Sequence, residues 1–296
     1  MRIFFPDFSG FCPGVKKAEK EIFKRAESSK EPIYVLGQLI HNRYFTEELE
    51  NRGVFVKNSI EDIPQDSHVI IRTHGIPRQT EEILRKKYRV TDLTCYKVKA
   101  LQKVIREYAD KGYGTIISGK REHPEVQGLI SYAGDYWVLK TKEEMEDFFY
   151  NRAKQDKKLM SLHNLLLVSQ TTAKEELFFY MAELAKKNLP GYKIEIHNSV
   201  CSITSMREEA ALKLQQDVDA SLVIGDHSSS NASKLYELLR EKSENTWFIT
   251  CLDDLIAIEQ HLEQVKRLQI VSSSSTPKSQ EKEIINHIKQ KFPVEN

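Results

Sequence analysis

Three cysteines stand at the same kind of place, since "CPGVKKAEKEIFKRA", "CYKVKALQKVIREYA" and "CSITSMREEAALKLQ" each open a helical pattern with Cys12, Cys95 and Cys201. The positive end of a helix favours the thiolate, the form of cysteine that binds a metal. Each cysteine is followed by an apolar strand pattern that runs to a glycine, Gly37, Gly119 and Gly225, at intervals of 25, 24 and 24 residues. A repeat of that regularity sets three sulfurs at equivalent points of a threefold arrangement, which predicts a trigonal thiolate site for zinc or for an iron–sulfur cluster. A cubane held by three cysteines leaves one iron open, as a Lewis acid that also passes electrons. Cys251, in the strand-like "TWFITCLDDL", matches no such position and reads as core packing.

A second set of residues lies in the polar turns that follow the strands. His41, His74 and His123 occupy strand-to-helix turns of the first two repeats, where backbone N–H groups and the helix dipole already favour an anion. Ser229, Ser230 and Asn231 take that place in the third repeat, with Ser275 from "SSSSTP" and Thr171 from "SQTT". Hydroxyl and amide groups of this kind donate to phosphate oxygens, so the set makes a diphosphate site without a Walker loop. Glu125, in "HPEVQG", is the one carboxylate at these turns open to a chemical task; by position alone it reads as an acidic residue that stabilises a helix N-terminus, and enclosed and partly dry it would be raised toward a proton donor or relay. His227 lies beside the serine turn, and it and the remaining histidines read as surface or structural.

These turns need a frame. Apolar β-branched runs such as "PIYVLG", "HVIIRTHG", "YGTIISG", "NLLLVSQTT", "ASLVIGD" and "RLQIVSSSS" alternate with amphipathic charged segments, the pattern of an α/β chain with mainly parallel sheets. Three pseudo-repeated lobes follow, over residues 14–95, 96–197 and 198–281, with residues 1–13 completing the third sheet through "MRIFF" and residues 282–296 as a C-terminal helix and tail. The stretch "NRAKQDKKLMSLHN" reads as a charged, loop-like insertion in the second. Ligands of open α/β sheets sit beyond the carboxyl ends of the strands, so nine such turns enclose one central polar cavity.

Composition narrows the function classes. Forty-four Lys and Arg oppose 43 Asp and Glu, which leaves no global field to hold nucleic acid or an anionic membrane. No run approaches the roughly 18 apolar residues of a membrane span, and "MRIFFPDFSG" is no signal peptide, so a soluble cytoplasmic protein is expected. Four cysteines without a CxxC pair fit neither a secreted disulfide scaffold nor a compact zinc ribbon. A dinucleotide fingerprint is missing after every strand, which calls for a separate electron donor, a ferredoxin or a flavodoxin.

The stretches "GFCPGVKKA", "GQLIHNRYF", "RTHG", "DLTCYKV", "HPEVQG", "SQTT", "SVCSIT", "SSNASKL" and "SSTP", in this order, resemble the 4-hydroxy-3-methylbut-2-enyl diphosphate reductases of the methylerythritol phosphate route to isoprenoids. The resemblance covers nearly the whole chain. It implies a three-lobed fold around a [4Fe–4S] cluster held by Cys12, Cys95 and Cys201, with the substrate hydroxyl on the fourth iron. It further implies that His41, His74, His123, Ser229, Ser230, Asn231 and Ser275 hold the diphosphate, while Thr171 and Glu125 serve the hydroxyl and its protonation. Lys120 stands where many members of that family carry a histidine, and Ser228 extends the serine run by one residue. Two other readings use the same thiolates: a non-redox iron–sulfur hydratase, distinguished by turnover that consumes no electrons, and a non-catalytic cluster or zinc sensor, distinguished by zinc in place of iron.

Overall fold

A computed structural model describes residues 1–294; the final two residues of the expected tail lie outside the described residues. In chain order the elements begin with β1 (Arg2–Phe4), α1 (Pro13–Ser28), β2 (Ile33–Leu36), α2 (Arg43–Glu50), β3 (Val54–Lys57), β4 (His68–Ile71), α3 (Arg78–Lys87) and β5 (Arg89–Asp92). There follow α4 (Tyr96–Ala109), β6 (Gly114–Ser118), α5 (Pro124–Ile130), β7 (Tyr136–Leu139), α6 (Lys142–Tyr150), α7 (Lys157–Met160), β8 (Asn164–Ser169), α8 (Glu175–Asn188) and β9 (Lys193–Ile196). The last are α9 (Ser202–Gln215), β10 (Ala220–Ile224), α10 (Ser230–Arg240), β11 (Thr246–Ile249), α11 (Leu252–Leu262), β12 (Arg267–Ser272) and α12 (Lys278–Lys291).

The strands form three four-stranded sheets of order β1-β12-β10-β11, β3-β2-β4-β5 and β7-β6-β8-β9. All three have one topology: the strand that precedes a cysteine lies at the edge of its sheet (β1, β5, β9), and the strands that follow that cysteine build the next sheet, each time with the second strand at the opposite edge, then the first and the third. This is the repeated α/β architecture with parallel sheets that the cysteine-to-glycine spacing predicts. β1 pairs in parallel with β12, Arg2 opposite Arg267 and Phe4 opposite Gln269, so the first residues of the chain close a sheet made by the last. By internal contact the chain divides into two compact units, one of Val69–Cys201 and one of Met1–His68 with the part from Ser202 onward.

Within the unit Val69–Cys201, β6 and β8 pair from Gly114 opposite Leu165 to Ser118 opposite Ser169. Both are almost wholly buried, because helices cover the two faces of a parallel sheet and the strands read as continuous apolar runs. One face carries Ile116, Leu165 and Leu167 against Phe148, Phe149, Phe178 and Met181; the other carries Ile117, Leu166 and Val168 against Leu101, Ile105, Val126 and Leu129. In the other unit β10 and β12 are buried in the same way, with Leu222, Ile224, Leu268 and Ile270 packed on Ile284 and Ile288 of α12.

Two local expectations change. Residues 151–164 are not a plain loop: Arg152–Lys154 makes a 3-10 turn and Lys157–Met160 a helical turn capped by Asp156, with Ala153 and Leu159 buried in the sheet's core. Cys251 is exposed rather than core. It lies past the end of β11 as the N-cap of α11, where Asp254 accepts its backbone N–H in a capping box and the side chain is outside the packed layer.

Candidate active site

The three repeat cysteines sit where their helices begin. Cys12 and Cys95 are the N-cap residues of α1 and α4, neither thiol making a cap hydrogen bond, and Cys201 immediately precedes α9. All three are half-buried and none is in a disulfide. The backbone repeats as well: Cys95 N–H donates to Thr73 O at 2.9 Å and Cys201 N–H to Thr171 O at 2.8 Å, each tying the cysteine to the turn beyond the neighbouring strand. Lys97 Nζ lies 3.5 Å from Cys201 Sγ. A cysteine sulfur at the positive end of a helix is a soft donor of the kind that iron–sulfur clusters and zinc take, and the Cys12 and Cys95 thiols are not spent on capping.

In the unit Val69–Cys201, Glu125 is buried in the first turn of α5. Thr171 binds it twice, its N–H donating to Oε1 at 2.6 Å and its Oγ1 hydroxyl to Oε2 at 2.7 Å. Burial pushes the carboxyl from an ordinary 4.5 up to about 7, against the two Thr171 hydrogen bonds that pull it down. A carboxyl of that kind exchanges a proton near neutrality. His123 is the N-cap of α5 and its Nδ1 accepts the Glu125 N–H at 3.1 Å, which fixes the neutral tautomer with the proton on Nε2. His74, in the turn after β4, meets the His123 ring edge to face with centroids 5.4 Å apart. Gly119 allows this turn to close, because a Cβ there would lie 2.9 Å from Gln170 Cβ.

The equivalent turn of the other unit is built of neutral donors. Ser229 is the N-cap of α10, and its hydroxyl accepts both the Ala232 N–H at 3.4 Å and the Ser275 hydroxyl at 2.9 Å. Asn231 Oδ1 accepts the Ser274 N–H at 3.0 Å and the Ser274 hydroxyl at 2.9 Å. Ser229, Asn231 and Ser275 are buried, and Ser230 is half-buried at the head of α10. Ser228 is exposed and turned onto Asp226, which separates it from its neighbours in the serine run. His227 is exposed and stacked on Phe248 at 4.6 Å. His41, half-buried, precedes Asn42, whose side chain caps α2 through the Phe45 N–H at 2.9 Å and donates to Gln280 at 3.0 Å.

Some residues of these turns escape a reading by spacing of strands and turns. Gln170 Oε1 accepts the Lys120 N–H at 3.1 Å and its amide donates to Thr172 at 2.8 Å, so one buried side chain holds two turns. Arg207 is 1% exposed inside α9. α9 buries Thr204, Arg207, Glu208, Ala211 and Gln215, a helical stripe that carries charge where apolar residues belong, so hydrophobic periodicity in the sequence does not mark it. The pair Lys234 and Glu208, 3.0 Å apart, is buried beside it.

Among known families, the model described as LytB protein matches residues 3–289. The 4-hydroxy-3-methylbut-2-enyl diphosphate reductase of Clostridioides difficile (strain 630) is 34% identical over 279 residues, 94% of this chain and 95% of that protein. The reductase of the same name from Aquifex aeolicus (strain VF5) is 33% identical over 280 residues, 93% of this chain and 91% of its own. A solved structure of (E)-4-hydroxy-3-methyl-but-2-enyl diphosphate reductase, described as the terminal enzyme of the non-mevalonate pathway, superposes with a TM-score of 0.72 at 31% identity, over 98% of this chain and all of that one. The structure of the E-1-hydroxy-2-methyl-but-2-enyl-4-diphosphate reductase from Plasmodium falciparum gives a TM-score of 0.85 at 25% identity, over 100% of this chain and 91% of that one.

Proposed function

The chain belongs to the LytB protein family, and from that premise we propose that it is an iron–sulfur oxidoreductase that reductively dehydroxylates 4-hydroxy-3-methylbut-2-enyl diphosphate. Two electrons and two protons enter, the allylic C–O bond is replaced by a C–H bond, and water leaves. The products are isopentenyl diphosphate and dimethylallyl diphosphate, the end of the methylerythritol phosphate route. The observation that supports this chemistry best is the threefold recurrence of a half-buried cysteine at the start of the helix after an edge strand.

In this reading Cys12, Cys95 and Cys201 hold a [4Fe–4S] cluster, each standing at the head of one of the three repeats, just before α1, α4 and α9. Such a cluster supplies Lewis acidity at an open iron and passes the electrons that a ferredoxin or flavodoxin delivers. The remaining work belongs to the chain's own side chains. Hydroxide is a poor leaving group, so a proton must reach the substrate oxygen, and Glu125 with Thr171 supplies and orients it. The diphosphate is a handle: His41, His74 and His123 donate imidazole N–H groups, and Ser229, Ser230, Asn231 and Ser275 add hydroxyl and amide donors. Among the described residues no helix is long and apolar enough to cross a membrane.

The test is anaerobic purification with iron and sulfide assay, followed by turnover of the hydroxy diphosphate with a chemical reductant. A loaded cluster and reductant-dependent formation of the two diphosphates are expected. A fully loaded cluster with no dehydroxylation contradicts the assignment.

A further inference from the structure

Arg207 is a buried cation in the second turn of α9, and its guanidinium reaches three oxygens in one unit of the chain. Nη1 donates to Asn231 Oδ1 at 3.1 Å, Nε to Phe8 O at 2.7 Å and Nη2 to Gly10 O at 2.6 Å. Its planar fork is suited to holding several acceptors at fixed angles, which a lysine cannot do.

The amide of Asn231 is oriented by these contacts without ambiguity. Arginine and a backbone N–H are donors only, so the atom that receives Arg207 Nη1 and Ser274 N is the amide oxygen, and Nδ2 is the other. With the Ser274 hydroxyl as a third donor, Oδ1 is saturated. Asn231 Nδ2 is buried and has no hydrogen-bond partner among the described residues. An amide NH2 left so is costly unless a ligand accepts from it, and such orphaned groups mark sites where something binds.

The backbone that Arg207 reaches is itself unusual. Phe8 has φ +63°, a left-handed conformation that a bulky residue adopts at a cost, and Gly10 has φ +77°. The Arg207 bonds to both carbonyls hold this turn, which leads directly to Cys12.

We infer that Arg207 is a positioning residue for the diphosphate: by saturating Asn231 Oδ1 it presents the Asn231 amide as a pure donor to the anion, and the same guanidinium fixes the backbone that carries Cys12. The inference rests on the diphosphate reading of the serine–asparagine turn. Arg207 acts on the anion through Asn231, so removing both residues costs no more affinity than removing Asn231 alone.

The experiment is a double-mutant cycle on the anaerobic, cluster-loaded protein, with Arg207→Met, Asn231→Ala and the double variant titrated calorimetrically with inorganic diphosphate. We expect each single variant to lose about tenfold in affinity or more, and the double variant to lose no more than Asn231→Ala. In turnover, KM of Arg207→Met rises by a larger factor than kcat falls, which a general loss of stability does not produce. Losses that multiply in the double variant, or wild-type affinity in Arg207→Met, overturn the inference. If Arg207→Met does not fold, Asn231→Asp decides: with Arg207 beside it the fold is kept, while the lost donor and added charge abolish diphosphate binding. Unimpaired binding by Asn231→Asp overturns the donor orientation. Wild-type protein that binds no diphosphate removes the reading of the turn and this inference together, whereas wild-type binding with an insensitive Arg207→Met removes this inference alone.

Discussion

The turn after β6 and the turn after β10 occupy the same place in two copies of one repeat, yet their chemistry is opposite. Each is linked to the turn beyond the strand paired with it in the sheet, β8 or β12, by a hydroxyl, Thr171 to Glu125 at 2.7 Å in one and Ser275 to Ser229 at 2.9 Å in the other. Each also takes a backbone N–H from that turn onto a side-chain oxygen, Thr171 N–H onto Glu125 and Ser274 N–H onto Asn231. The scaffold is common; the acceptor differs. A buried carboxyl near neutrality can move a proton, and a buried amide whose oxygen is saturated can only donate hydrogen bonds. Duplication of the frame thus sets a buried carboxyl suited to proton transfer in one turn, beside His123, and a buried amide suited only to donating hydrogen bonds in the other, without changing the backbone plan.

The largest effect that would break this contrast is at Glu125. Glu125→Gln keeps the shape and the Thr171 N–H partner but has no proton to give, so kcat/KM should fall about 10²- to 10⁴-fold while cluster iron and diphosphate affinity are retained. Near-normal turnover would remove Glu125 from the mechanism. Next is Asn231→Ala, expected to weaken diphosphate binding about tenfold or more in a direct titration, since a hydrogen bond to a charged group is at stake. A variant that binds as well as wild type would erase the binding half of the comparison.

The pH dependence sharpens it further. Glu125 titrates near 7, so if its protonated form is the donor, kcat falls as pH rises through about 7. Thr171→Val removes a bond that favours the carboxylate, and the falling limb should move to higher pH. Stability follows the same group. Folding raises its pKa, so between about 4.5 and 7 the folded chain binds more protons than the unfolded one, and stability declines across that window as pH rises. Chemical denaturation of wild type and Glu125→Gln from pH 5 to pH 8 should show the decline in wild type only. The smallest effect expected is at Lys97, whose ammonium lies 3.5 Å from Cys201 Sγ. Lys97→Met should make the midpoint potential of the bound cluster more negative, by roughly tens of millivolts, because a positive donor on a thiolate favours the reduced state.

Much of this frame is legible in the sequence because it is repeated. Three cysteines with near-equal intervals to a glycine announce the sheets, and one edge strand drawn from the start of the chain follows from "MRIFF" having no other partner. The polar turns are legible for the same reason. What spacing does not disclose is which residues act from behind. Arg207 sits in a helix whose charge pattern looks solvent-facing until its burial is known, and Gln170 reads as one more polar residue of "SQTT" although it braces the Lys120 turn. Cys251 deceives in the other direction, since a cysteine at the end of an apolar run looks like core when the strand in fact stops at Ile249 and the thiol is outside. These are properties of packing between elements, which periodicity along one element does not encode.

The division between a reacting carboxyl and a binding amide is tested most directly by the rate at saturating substrate, measured on cluster-loaded Glu125→Gln and Asn231→Ala under one excess of reductant. Asn231→Ala should recover most of the wild-type rate once substrate compensates for weaker binding, while Glu125→Gln stays at least about a hundredfold slow at every concentration. Equal deficits in the two variants at saturation, or a Glu125→Gln rate restored by substrate, would contradict the account.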